Sequence, residues 1–453
     1  MKRCHPREVG PVPLEAGQKL KAEMSRITLT VRKKLGEGTQ GEVYLVEGIH
    51  GQQALKWYKP AQATMDQMAA IRTLVQAGPP RGAPGARFIW PLDLVTAPGV
   101  PLFGYLMRLI DTSRFAELGE VQAHLKPVPG FRALSRISYQ LANSYRALHL
   151  SGLCYRDISD GNLMFDPVAG EILICDNDNV GVNRQSRSQV WGTMEYMAPE
   201  LIRGKADPST ETDLHSLAVL LFNLWCWHHP FHGRMEYELR VWDIPAKMKV
   251  YGSPVFIFDP GDARNSLPAD PDYETVRTRW NFCPPSLKAL FTRAFTEGVR
   301  DPRRRVTEGE WQRLFLQLSD GIVPCPKCRA ENIWEPGSPA LACWHCSFPI
   351  PLPPKLLVTT SAGPHHVLLI EGATLSREAL GLAGGKEGDP DAVGQVVRNP
   401  SNPGIWGIRN LSRGAWKVTF PDGKGLEIPP QKSVPLNPKT RIDFGGISAE
   451  IIL

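Results

Sequence analysis

The chain has 453 residues, of which 42% are apolar and 22% charged, and carries a net charge of +6. That length exceeds one ordinary core, so two to four domains are expected, and the composition is that of a globular protein. The positive charge is modest and scattered, with Arg303-Arg304-Arg305 a tight cluster, which argues against nucleic acid as a partner.

The opening residues, Met1-Lys2-Arg3-Cys4-His5-Pro6, carry charge with no apolar run behind them, so no signal peptide is expected. The longest apolar run, Leu214 to Trp227, is interrupted by His215, Ser216 and Asn223. It reads as a buried helix, and no membrane association is expected. Of nine cysteines, Cys325, Cys328, Cys343 and Cys346 stand at metal-binding spacing, while Cys4, Cys154, Cys175, Cys226 and Cys283 are isolated. Isolated thiols beside two Cys-x-x-Cys pairs point to a reducing, cytoplasmic setting and not to a disulfide framework.

Residues 1–26 read as a Pro/Gly-punctuated lead-in. Ile27–Lys34, Val43–Glu47 and Gln53–Tyr58 are strand-like, with glycine-rich turns between them. Met65–Val75 has apolar residues at helical spacing. A loop over Pro79–Gly85 leads to two further strands, Phe88–Val95 and Gly104–Leu109. From Phe131 the pattern turns helical: Leu134–Leu150, Thr212–Trp227 and Pro285–Thr296 read as helices. Leu163–Phe165 and Ile172–Cys175 read as short strands joined by an Asp166-Pro167-Val168-Ala169-Gly170 turn. Residues 228–284 give no clear pattern. The segment Ile322–Pro354 holds eight prolines and both cysteine pairs. Beyond Lys355 come short strand-like runs: His366–Glu371, Val393–Arg398, Ile405–Leu411, Ala415–Phe420, Leu426–Pro429 and Arg441–Phe444. These describe an all-β domain, a sandwich.

Two groups of residues carry chemistry. In the first, Gly36-Glu37-Gly38-Thr39-Gln40-Gly41 falls between two strands, which argues against a dinucleotide-binding turn. A glycine hairpin admits phosphate oxygens to backbone N–H groups without a Cβ in the way. Lys56 lies in an apolar strand, where a lysine needs an anionic partner, either a phosphate or a salt bridge. Tyr155-Arg156-Asp157, Asn162, Asp176 and Ala198-Pro199-Glu200 follow in order.

With these motifs, residues 27–318 resemble the eukaryotic-type (Hanks-type) protein kinases. The resemblance implies ATP held by Gly36, Glu37, Gly38, Thr39, Gly41, Val43, Ala54, Lys56, Met107 and Leu109. It implies catalysis by Asp157, Lys56, Asn162 and Asp176, with Asn162 and Asp176 holding Mg²⁺ (or Mn²⁺). Asp213 matches the aspartate that braces the catalytic loop, and Glu200 with Arg305 matches a buried ion pair. Several positions depart from the family. Gln67 stands where the helix glutamate that pairs with the lysine is expected, Tyr155 replaces a histidine, and Ser159 replaces a lysine. The metal-binding triplet reads Asp176-Asn177-Asp178, with Asp178 an alternative ligand. Arg156 suggests control by loop phosphorylation, with Ser186, Ser188 and Thr193 as candidate sites.

In the second group, fourteen residues separate Cys325-Pro326-Lys327-Cys328 from Cys343-Trp344-His345-Cys346. Two such turns close a tetrahedral Zn²⁺ site with no open position, hence a structural zinc, with His345 beside it and not in it. The stretch from Ile405 to Gly445 resembles a degenerate forkhead-associated (FHA) domain, with Trp406 and Trp416 in its core.

The expected fold is therefore α+β. A bilobal kinase (lobes 27–110 and 111–320) is followed by a zinc ribbon (321–353) and an FHA-like sandwich (354–453). The expected function is Ser/Thr phosphorylation of protein substrates. The Asp-Asn-Asp triplet with a downstream ribbon resembles kinases that accompany a von Willebrand A protein and a metal-dependent phosphatase in tellurite-resistance or stress systems. A nucleotide-binding scaffold without catalysis, and a small-molecule kinase, are the competing readings.

Overall fold

The computed structural model describes residues 13–184, 192–338, 340–360, 363–382 and 392–453. The chain divides into two compact units. One comprises residues up to Val128 with Gln140–Trp280 and Ala289–Gly309; the other comprises Pro129–Tyr139, Asn281–Lys288 and Glu310–Leu453. The second unit thus takes in residues 310–320 as well as the ribbon and sandwich. Among the described residues no helix is long and apolar enough to cross a membrane.

The first unit has the protein-kinase architecture, an N-terminal β-sheet lobe and a helical lobe. Its sheet is a closed antiparallel barrel of six strands: β1 (Lys19–Ala22), β2 (Thr28–Glu37), β3 (Gly41–Gly48), β4 (Gly51–Tyr58), β5 (Asp93–Thr96) and β6 (Phe103–Met107). Their order is β1-β2-β3-β4-β6-β5, and pairing of Lys21 with Thr96 closes the ring. β1 lies within the stretch read as a lead-in. Its Lys-Leu-Lys-Ala alternation exposes the lysines and buries Leu20 and Ala22. The expected strand over Phe88–Val95 is shorter, beginning at Asp93. Pro91 lacks an N–H for a ladder, and Phe88 instead bridges to Ile174. Leu20, Leu29, Val31, Val46, Leu55 and Trp57 fill the barrel.

Helix α1 (Met65–Ala77) starts where Thr64 Oγ1 accepts from Gln67 N at 3.1 Å. It ends at Gly78, whose φ of 70° suits a residue without a Cβ. Ile71 and Leu74 are its buried residues.

In the helical lobe, the helix Thr210–Cys226 is capped by Ser209 and buried along most of its length. The Leu163–Phe165 and Ile172–Ile174 hairpin has Leu163 opposite Ile174. Asp166 Oδ1 fixes its turn by accepting from Val168 N and Ala169 N, both at 2.8 Å. The unassigned stretch 228–284 contains helices Arg234–Tyr237, Ile244–Gly252 and Glu274–Phe282.

The second unit carries two small hairpins, Ile322–Pro324 with Glu331–Ile333 and Leu341–Ala342 with Pro349–Ile350. Beyond them lie one six-stranded and one four-stranded antiparallel sheet. Leu356, Val358, Val396, Ile408, Trp416 and Ile442 belong to their common core. Trp416 is buried, and Trp406 packs against the core from its edge.

Candidate active site

Strand register assembles the first wall of the site. Val43 pairs with Lys56, Lys56 with Tyr105, and Ala54 with Met107. Directly opposed residues share a face, and Ala54 and Lys56 are two apart on one strand. Val43, Ala54, Lys56, Tyr105 and Met107 therefore lie on one face, while Leu55, Trp57 and Leu106 point into the barrel. Leu109 follows β6, half-buried. On the opposite, barrel face the strands β4 and β6 lie close together, since a Cβ on Gly104, which pairs with Trp57, would stand 2.2 Å from the Lys56 carbonyl oxygen.

The glycine hairpin joins β2 to β3. Gly38 N donates to Gly41 O at 2.8 Å, and a Cβ on Gly41 would stand 2.5 Å from Trp57 O. Gly36, Glu37, Gly38 and Thr39 are exposed. Lys34 and Lys59 lie 2.7 and 2.8 Å from the Glu37 carboxylate and pull its pKa down to about 2. Glu37's side chain is thus engaged by lysines, and its backbone is the part free to serve a ligand.

Lys56 is buried, and its Nζ donates to Gln40 Oε1 at 2.9 Å and to Asp178 Oδ2 at 3.0 Å. Asp176 Oδ2 lies 3.3 Å away. Burial works against the ammonium, but Asp178 and Asp176 outweigh it and raise the pKa. The partner expected for Lys56 is therefore present as a salt bridge within the chain. Tyr58 OH donates to Asp178 Oδ2, and Gln67 Nε2 donates to Tyr58 OH at 3.0 Å. Gln67 thus reaches the cluster at one remove.

The second wall comes from the helical lobe. Asn162 Nδ2 donates to Asp157 Oδ2 at 3.0 Å and to its backbone carbonyl at 2.8 Å. Thr193 N and Oγ1 donate to Asp157 Oδ1 at 2.8 and 3.0 Å. Cys175 N donates to Asn162 O at 2.8 Å, which ties the loop to the strand that delivers Asp176. Partial burial, with repulsion from Asp178 and Asp157, raises the Asp176 pKa against the pull of Lys56. A divalent cation would reverse that shift. The Asp176 carboxylate and the Asn162 amide oxygen are hard donors suited to Mg²⁺, whereas Asp178 is committed to Lys56 and Tyr58. The residues present fit that metal.

Tyr155 donates its hydroxyl to the carbonyl of Cys175, the residue before Asp176. Asp213 accepts from Tyr155 N at 2.6 Å and Arg156 N at 3.0 Å, bracing the loop as expected. His149 Nε2 meets Asp213 Oδ2 at 3.0 Å while Nδ1 meets Glu308, and these carboxylates overcome burial to raise the histidine to about 9. Arg305 pairs with Glu200 at 2.8 Å, buried as expected. Ser159 is buried and supplies no cation. Ser186 and Ser188 lie outside the described residues.

Gln40, Tyr58 and His149 were not anticipated from the sequence, and Asp178 was anticipated only as a metal ligand. Tyr58 did leave a sign, since it lies two residues from Lys56 and so on the same face.

In the second unit, the four cysteine sulfurs lie within 4.8 Å of one another, with Cys325–Cys346 at 3.7 Å and Cys328–Cys343 at 3.5 Å. Ligands at ~2.3 Å from a tetrahedral zinc stand ~3.8 Å apart, so the donor set fits that ion. Arg329 and Ser347, each following a pair, adopt positive φ of 68° and 57° to close the turns. His345 is exposed and outside the cluster.

Residues 112–308 match the family described as protein kinase domain. The serine/threonine-protein kinase sck2 of Schizosaccharomyces pombe is 29% identical over 46% of this chain and 32% of its own length. An Aurora kinase of Dictyostelium discoideum is 35% identical over 30% of this chain and 36% of its own. Protein kinase C delta type of Rattus norvegicus is 29% identical over 46% and 31%. The chain spans only about a third of the length of these curated relatives.

Proposed function

We propose that this chain is an ATP- and Mg²⁺-dependent protein kinase acting on serine or threonine of protein substrates. The observation that carries the reading is the linked set Lys56, Asp176, Asn162 and Asp157, joined by an ion pair of 3.3 Å, a strand–loop hydrogen bond and a side-chain hydrogen bond of 3.0 Å. Val43, Ala54, Met107 and Leu109 would hold the base, and the backbone of the Gly36–Gly41 hairpin the phosphates. Lys56 would fix the non-transferred phosphates. Asn162 and Asp176 would hold Mg²⁺, which would supply positive charge to the phosphate oxygens when bound. Asp157 would orient the substrate hydroxyl and take up its proton as the bond to the γ-phosphorus forms and the bridge to the β-phosphate breaks. Thr193 and Asn162 keep that carboxylate aimed.

The kinase relatives support a protein substrate, and the serine/threonine-protein kinase among them supports a serine or threonine target. The two antiparallel sheets support an FHA-like docking module. The resemblance of triplet plus ribbon supports a von Willebrand A protein and a phosphatase as partners. One observation favours a nucleotide-binding scaffold instead: Lys56 is already neutralised by two carboxylates. The phosphoproteomes of cells carrying wild type and Asp157→Asn decide between them. A kinase gives phosphosites lost in the variant, and a scaffold gives none.

A further inference from the structure

We infer that Asp178, and not a residue of α1, is the fixed counter-charge that positions Lys56. The catalytic consequence rests on the kinase reading; the ion pair itself does not. Helix α1 presents Gln67 towards the cluster, in the register set by buried Ile71 and Leu74. A neutral amide supplies no counter-charge, and it reaches only the Tyr58 hydroxyl.

The two nearby carboxylates are not equivalent. The Asp178 side chain is 0% exposed and receives Lys56 on both oxygens, at 3.2 and 3.0 Å, and Tyr58 on one. The Asp176 side chain is 42% exposed and touches Lys56 at 3.3 Å through one oxygen. A carboxylate without solvent contact is tolerated only where a cation and hydrogen bonds satisfy it. Asp178 is therefore committed to the lysine, and Asp176 keeps an open side for a metal. Lys56 spends its remaining donor on Gln40 of the glycine hairpin.

The two aspartates flank Asn177 in one short turn. The lysine's counter-charge is thus built into the segment that presents the metal ligand. At this cluster α1 contributes one neutral hydrogen bond, from Gln67 to Tyr58, whereas the 176–178 turn carries both the metal ligand and the lysine's partner.

Two cycles on the full chain test this. In thermal unfolding, Lys56→Met and Asp178→Asn should each lower the melting temperature, and the double variant should lose clearly less than their sum. The matching cycle with Asp176→Asn should be closer to additive. An additive Asp178 cycle, or stronger coupling to Asp176, overturns the inference. In phosphoryl transfer, Asp178→Asn should cost on the order of 100-fold in an otherwise native chain and little in the Lys56→Met background. A purely structural Asp178 would cost the same in both, and that result also overturns it. A wild type no more active than Asp157→Ala would refute the kinase reading alone, and the unfolding cycles would still decide the ion pair.

Discussion

His149 offers a quantitative handle on the brace beneath the catalytic loop. Its ring is 8% exposed and held between Asp213 and Glu308. Those carboxylates raise it to about 9 from the ordinary 6.5, a difference worth about 3 kcal/mol. Because the folded-state value is the higher one, the stabilisation is complete below pH 6.5 and fades as pH climbs through about 9. Cys154 nearby does not interfere, since burial and the charge of Asp213 push its thiol up to about 11. The perturbation is His149→Gln, which keeps a hydrogen-bonding side chain and removes the charge. Urea unfolding should show wild type more stable than the variant by up to about 3 kcal/mol below pH 6.5, with the gap closing above pH 9. A gap that stays constant, or widens with pH, would refute the charged-histidine brace.

Gly41→Ala should destabilise the sheet lobe by about 1–3 kcal/mol, because its Cβ meets Trp57 O at 2.5 Å. Gly36→Ala, whose Cβ meets nothing within 4 Å, should melt near wild type. Glu200→Ala strands the buried Arg305 guanidinium and should cost about 3–5 kcal/mol in denaturant unfolding. Asp262→Ala, which breaks a pair with an arginine that is 74% exposed, should leave the midpoint close to wild type in the same assay. Purified chain should carry bound zinc by elemental analysis. Cys328→Ser or a strong chelator should release it and abolish protection of the ribbon amides in hydrogen exchange.

The motifs were legible because each chemistry demands a residue type at a fixed spacing. Asp157 and Asn162 serve one loop, and the cysteine pairs serve two turns. The hairpin after Asn162 was legible for the same reason, since Asp166 and Gly170 shape its turn. The Lys56–Asp178 pair was not, because 122 residues separate its members and only the fold brings them together. The family pattern directed attention to Gln67, whose bond runs to Tyr58 instead. Strand β1 hides its two-residue period in four residues rich in lysine. Strand Lys355–Thr360 follows directly on a proline-rich run, and Thr374–Ser376 and Ser433–Pro435 are too short to show alternation. Strand Ser448–Ile452 does alternate, but it stands behind the Gly445–Gly446 turn and is paired on both sides within the six-stranded sheet.

The account stands or falls on transfer of a labelled γ-phosphate from ATP to protein in the presence of Mg²⁺. It predicts label on the chain itself or on an added protein with wild type, and none with Asp157→Ala, although that variant still binds Mg-ATP. Equal labelling by the two proteins, or none by either, would contradict it.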